Sequence, residues 1–222
     1  MISIINTYGN MLIAALGQTC LLAFLSLVFA CILGLVFGLM NVSRSKVLKV
    51  IGGIYVDAVR GVPLIVLAYF IYFGVPYAVK SLGITDFRLT ALTAGTITLA
   101  LNCGAYMAEI LRAGIQSVDK GQMEAARSLG MSYGHSMRKV VLPQAIRTMI
   151  PSIINQFIIT LKDTSILSVI GFPELVNTGK TVVANTMNAF GTWTVVGIMY
   201  MIVIISLSKI ARQIERRVTN GR

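Results

Sequence analysis

Five apolar stretches, each long enough to cross a bilayer, restrict the fold of this chain more than any other feature of its sequence. A hydrocarbon core about 30 Å thick takes roughly 20 residues of helix, and inside it every backbone polar group must be satisfied within the protein. The runs lie near Met11–Met40, Gly61–Val79, Leu89–Ile110, Thr148–Ile170 and Ala189–Ser208, the fourth interrupted by Lys162 and Asp163. No series of alternating-polarity segments about ten residues long is apparent, so a transmembrane β-barrel is excluded. With 56% of its residues hydrophobic and 12% charged, the chain is too apolar for a soluble domain. The expectation is an all-α membrane protein: five transmembrane helices forming one domain over residues 1–222. The first run lacks a basic start and exceeds the roughly 7–15-residue core of a signal peptide, so it reads as retained.

The formal net charge is +11, and fifteen of the nineteen Lys and Arg residues fall in three places. These are Arg44, Lys46, Lys49 and Arg60; Arg112, Lys120, Arg127, Arg138, Lys139 and Arg147; and Lys209, Arg212, Arg216, Arg217 and Arg222. Five spans put all three on one side, which the positive-inside bias makes cytoplasmic, with the N-terminus outside and the C-terminus inside. Topology thus explains the basic residues, and with no aromatic platform among them nucleic acid is not an expected partner. Cys20, Cys31 and Cys103 lie inside predicted spans and form no disulfide framework; they read as packing residues.

Residues 111–147 interrupt this oil-soluble chain between the third and fourth spans. Glu124 to Leu129 favour helix, Gly130 and Gly134 allow a turn, and Val140, Val141 and Leu142 precede an expected stop at Pro143. A short helix, a turn and a second short helix would lie across the membrane face. Physics alone leaves two readings open, an amphipathic surface segment or a docking element.

The stretch "EAARSLGMSYGHSMRKVVLP" (124–143) resembles the EAA signature of importer permeases in the ATP-binding-cassette (ABC) superfamily, with Val140 where the family usually has Ile. "RGVPLIVLAYFIYFGVP" (60–76), "NCGAYMAEILRAGI" (102–115) and "LKDTSILSVIGFPEL" (161–175) narrow the resemblance to polar amino-acid permeases of the histidine/glutamine type, nearest the glutamine permeases. It covers Gln18 to Arg217. It implies a type I ABC importer transmembrane domain in the bacterial cytoplasmic membrane, with residues 119–143 as a coupling segment. The implied ATPase contacts are Glu124, Ala125, Ala126, Ser128, Leu129, Gly130, Tyr133 and Gly134. Small residues permit close approach, Glu124 can bond ATPase donors or Arg127, and Tyr133 is the aromatic expected to enter the partner's groove. Implied partners are two cytoplasmic ABC ATPases, a second permease copy or a similar paralogue, an extracytoplasmic amino-acid-binding protein, membrane lipid and a polar amino acid, glutamine or cystine-like.

The chain itself is not expected to be an enzyme. A phosphate loop ending in Gly179-Lys180-Thr181 would need glycine where Glu174 stands, so ATP and Mg belong to the partner ATPase and this chain carries no cofactor. His135 is the single histidine and has no companions at ligand spacing, so no metal is expected.

Polar side chains within spans mark functional candidates. Asn102, Tyr106 and Glu109 share one face of the third helix; Gln156, Thr160 and Asp163 share one face of the fourth, with Asn155 and Lys162 on an adjacent stripe. Facing each other, these stripes would make a watery cleft for a zwitterion. Its lining is expected to be Asn102, Gly104, Ala105, Tyr106, Glu109, Gln156, Lys162, Asp163 and Thr164, with the two small residues admitting ligand to the backbone. The resemblance favours Gly104–Glu109. Structural readings stand beside these: Glu109 pairs with Arg112, Lys162 neutralises Asp163, and Asn155 and Gln156 join helices. Asp57 and Arg60, before Gly61 and Pro63, read as a gate hinge or an ion pair at the cytoplasmic entrance, and Phe172–Asn188 as a re-entrant or surface helix over the outer mouth. The alternative function is an ion-gradient-driven secondary transporter or channel, which could use the same charged residues and has no need of the 124–143 stretch.

Overall fold

The computed structural model describes residues 1–84 and 86–219; Arg222 lies outside the described residues, as do the side chains of Arg216 and Arg217. The described residues are helical and contain no strand. We number the helices α1 (Ile2–Val42), α2 (Lys46–Gly61), α3 (Leu64–Ser81), α4 (Ala91–Gln116), α5 (Lys120–Ser128), α6 (Tyr133–Ile170), α7 (Leu175–Thr186) and α8 (Ala189–Thr219). Five of them, α1, α3, α4, α6 and α8, are long and apolar enough to span a bilayer. Side-chain caps fix many of the starts: Ser45 accepts from Leu48 N–H, Thr90 from Thr93, Asp119 from Gly121 and Ser132 from His135.

Small residues hold α1 against α4. Ala30, Gly34 and Gly38 on α1 recur every fourth residue, as do Gly104 and Ala108 on α4, and all are buried. A Cβ on Gly34 would collide with that of Met107; one on Gly104 would come within 2.9 Å of Leu33 Cβ. Backbones can approach this closely only where side chains are missing, the usual basis of tight helix pairs in membranes. The contacts also fix direction. Leu22 lies by Gly95, Leu33 by Gly104 and Leu111 by Gly38, so α1 and α4 run parallel, whereas Met149 by Gly114 and Leu167 by Gly95 make α6 antiparallel to both. The start of α8 (Val195, Val196) packs on the start of α1 (Ile4, Leu12, Ala15). Residues 43–45, residues 117–132 and the end of α8 therefore share one end of the bundle.

Two prolines are accommodated rather than obeyed. A π turn at Met137–Val141 precedes Pro143, and another at Phe70–Gly74 precedes Pro76. The widened turn relocates the hydrogen bond that proline cannot make and relieves its ring clash. The expected stop at Pro143 is thus corrected: α6 continues through it as part of one stretch from Tyr133 to Ile170. Two other expectations shift. The first span extends to Ile2–Val42. The second begins at Leu64, after a break at Val62–Pro63, and the preceding residues form α2, which packs on α1 and α4. Cys103 is buried, while Cys20 and Cys31 are exposed on α1.

Candidate functional site

At the end shared by the short connections, α4 stops at Gln116 and the chain turns through Asp119 into α5. Ser128 donates to the Glu124 carbonyl, and Gly130, at φ +83°, turns the chain towards α6. The turn is held internally. Arg127 donates to the Met131 carbonyl and Gln144 donates to Gln122, tying α5 to the root of α6. Glu124, Ala125, Ser128, Leu129, Gly130 and Gly134 are exposed and Ala126 is buried beneath them.

Two sequence expectations change here. Tyr133 is 36% exposed, and the Arg44 guanidinium lies 3.8 Å from its ring centroid, so its face is already engaged by the α1–α2 turn. The side chain that projects is Leu129, 84% exposed next to the left-handed glycine. Burying such a leucine against a partner is worth about 1.5–3 kcal/mol. Arg127 bonds the backbone and makes no ion pair with Glu124 among the described residues, leaving that carboxylate unengaged by it.

The polar face of α4 separates into two layers. Glu109 accepts two hydrogen bonds from Arg112, at 2.6 and 2.9 Å, and lies 3.9 Å from Arg60, whose guanidinium is 5.1 Å from the Tyr106 ring centroid. The expected Glu109–Arg112 pair is therefore present and Arg60 joins it across helices. Deeper in the bundle Asn102 and Gln156 are buried, and Thr160 donates back to the Gln156 carbonyl. This layer is helix packing, and the watery cleft expected between the stripes is not open there. Gly104 and Ala105 are corrected likewise: Ala30, Leu33 and the Tyr55 hydroxyl fill the space beside Gly104, and Ala105 is fully buried.

Lys162 is exposed, Asp163 half-buried and Thr164 buried with its hydroxyl on the Leu161 carbonyl. Met149 packs beside Gly114, so Glu109, five residues earlier on the antiparallel α4, stands near the level of Ile154, eight residues short of Lys162. At 1.5 Å per residue that is roughly 12 Å along the bundle, which sets Glu109 apart from the Lys162–Asp163 pair. The structure brings Tyr106 and Glu109 together with Arg60 and keeps Lys162, Asp163 and Thr164 as a separate group.

At the far end Glu174, within the stretch expected to form a re-entrant or surface helix over the outer mouth, is completely buried. Its carboxylate caps α7, accepting from Val176 N–H at 2.7 Å and Asn177 N–H at 2.6 Å, and takes the Tyr200 hydroxyl at 3.1 Å. Beside it Thr19 accepts from Leu175 N–H, and Lys180 donates to Ser168. Burial pushes the Glu174 carboxyl above the ordinary range, against the lowering pull of these donors and of Lys180. No local pattern singles it out, because the usual N-cap residues are Ser, Thr, Asp and Asn.

Comparison with known proteins bears on this arrangement. The family described as binding-protein-dependent transport system inner membrane component matches residues 30–220. The glutamine transport system permease protein GlnP of Escherichia coli (strain K12) is 36% identical over 207 residues, 93% of this chain and 92% of that protein. The probable amino-acid permease protein YxeN of Bacillus subtilis (strain 168) is 38% identical over 205 residues, 92% of this chain and 90% of its own length. Among solved structures, an amino acid ABC transporter crystallised with histidines superposes with a TM-score of 0.88 at 38% identity, covering 97% of each chain. An inward-facing MetNI methionine ABC transporter gives 0.79 at 20% identity, covering 96% of this chain and 98% of that one, a likeness of fold alone.

Proposed function

The chain belongs to the family of binding-protein-dependent transport system inner membrane components, and from that premise we propose that it is the permease subunit of an ATP-driven importer of a polar amino acid. The observation that carries this reading is the exposed α5 segment with Leu129 at its tip, built between two spanning helices and internally braced. A gradient-driven carrier has no use for such a handle. Two cytoplasmic ATPases, holding the ATP and Mg, grip the segment, and their closure moves α4 and α6 against each other so that the path opens alternately to either side. The path forms with a second copy of this chain or a paralogue, because five spans enclose too little space for a hydrated zwitterion. A binding protein delivers the amino acid at the α7 end.

The basic clusters at the coupling end support an inside C-terminus and an outside N-terminus in a bacterial cytoplasmic membrane. Of the candidate path residues, Tyr106, Glu109, Lys162 and Asp163 keep access to open space. Lys162 suits the substrate carboxylate and Asp163 its ammonium. Relatives named for glutamine support glutamine as the leading substrate. The test is uptake of labelled glutamine into vesicles carrying the permease with its native ATPase and binding protein. Accumulation that requires ATP and survives collapse of the ion gradients is expected; accumulation that follows the gradients without ATP overturns the proposal in favour of a secondary transporter.

A further inference from the structure

A cavity of about 430 Å³ lies between α2 and the coupling-end half of α4, within the range of roughly 300–1,000 Å³ usual for small-ligand sites. Along its α2 wall stand Lys49, Gly53, Asp57 and Arg60, on one side of the helix; Asn41, from the end of α1, and Gln116, from the last turn of α4, also line it. Asp57 and Arg60 are three residues apart, so their Cβ atoms stand about 5–6 Å from each other. They do not pair with one another, and among the described residues Asp57 forms no ion pair. Arg60 has only a long contact to Glu109, 3.9 Å, because Arg112 already takes both carboxylate oxygens at hydrogen-bonding distance. The Arg60 guanidinium carbon lies over the Tyr106 ring, 5.1 Å from its centroid, a contact that uses none of its N–H donors. A carboxylate and a guanidinium one turn apart, both exposed on the cavity wall and neither taken at hydrogen-bonding distance by another charged side chain, together with a further ammonium at Lys49, match the two ends of an α-amino acid.

Gly53 makes the room. A Cβ built there meets nothing within 4 Å, so the gap between Lys49 and Asp57 is open space within the cavity wall. A larger residue at 53 would start from that open position and extend into the cavity, with a gain in helix propensity.

We propose that this cavity is a second station for the transported amino acid, at the coupling end, with Arg60 and Lys49 taking its α-carboxylate, Asp57 its ammonium, and the side chain lying towards Asn41 and Gln116. It rests on the reading of the chain as an amino-acid permease and is separate from the Lys162–Asp163 group. Arg112 and Gln116, which border the site, lie one turn from the connection to α5, so an occupant touches the helix end that leads directly into the coupling segment. Occupancy there reports the internal amino-acid level to the ATPase contact.

A free amino acid bearing a diazirine side chain is the probe, photolysed on the assembled transporter in lipid nanodiscs without the binding protein, and adducts are mapped by mass spectrometry. Expected are adducts on the peptides carrying Asn41 and Gln116, reduced at least tenfold by excess glutamine and not by its decarboxylated amine. Arg60→Gln and Asp57→Asn each lower the adduct yield about tenfold, and Gly53→Leu abolishes it while the complex keeps its elution volume. Absence of adducts from those peptides in the unsubstituted complex, or yields unchanged in Gly53→Leu, overturns the second station. ATP-dependent glutamine uptake by the same preparation separates the two claims: if uptake stands while the adducts fail, only this site is lost.

Discussion

Leu129 and Tyr133 show how much turns on a single side chain. Both lie in a stretch whose resemblance to the EAA signature implies a docking element, and sequence reasoning favours the aromatic because aromatic anchors dominate interfaces. Placement reverses the choice: Arg44 covers Tyr133, and Leu129 stands clear. No local pattern could have revealed this, since Arg44 is remote in sequence. Leu129→Ala is expected to weaken association with the ATPase roughly tenfold or more while leaving detergent stability unchanged, as titration calorimetry with the purified ATPase would measure. Glu174 makes the opposite point, a residue whose surroundings give it a structural task. Its folded-state pKa is raised, so its stabilising contribution is fully present below the ordinary glutamate value of about 4.3 and is lost as pH rises through the folded value. Thermal midpoints of Glu174→Gln are expected to vary less over that window than those of the unsubstituted protein. Glu174→Ala, which removes the cap of α7 altogether, is expected to cost about 1–2 kcal/mol.

At the scale of helices, the spans were legible because bilayer thickness imposes a length on any apolar run, but their ends were not. Pro143 reads as a terminator in sequence, and only the π turn ahead of it shows why α6 passes through. The same device at Phe70–Gly74 ahead of Pro76 indicates one physical solution used twice. The small residues along α1 and α4 were visible as letters, yet Gly104 and Ala105 seemed to offer room for a ligand. That room holds α1 and Tyr55, a fact about which helix lies opposite, and one helix's periodicity does not carry it. Gly34→Leu is expected to destabilise the α1–α4 pair by about 1–3 kcal/mol, seen as a lower thermal midpoint and a lower folded yield, because its Cβ meets that of Met107. Gly53→Leu, on the open face of α2, is expected to leave both unchanged.

For the molecule as a whole, the account is one of force and direction. Parallel α1 and α4, antiparallel α6 and an α8 that starts beside the start of α1 bring the basic clusters at residues 44–49 and 120–139 to the end where Leu129 projects. The path residues are spread along the bundle, with Glu109 and Lys162 roughly 12 Å apart along its axis, as a route would be. The central claim is that work done by cytoplasmic ATPases enters through Leu129 and its neighbours. Its most direct test is a cysteine at position 129, in a background with Cys20, Cys31 and Cys103 replaced, reacted with a membrane-impermeant maleimide. The account predicts labelling in inside-out vesicles, protection when the ATPase is bound, and none in intact cells. Labelling of intact cells, or labelling that is indifferent to the ATPase, would contradict it.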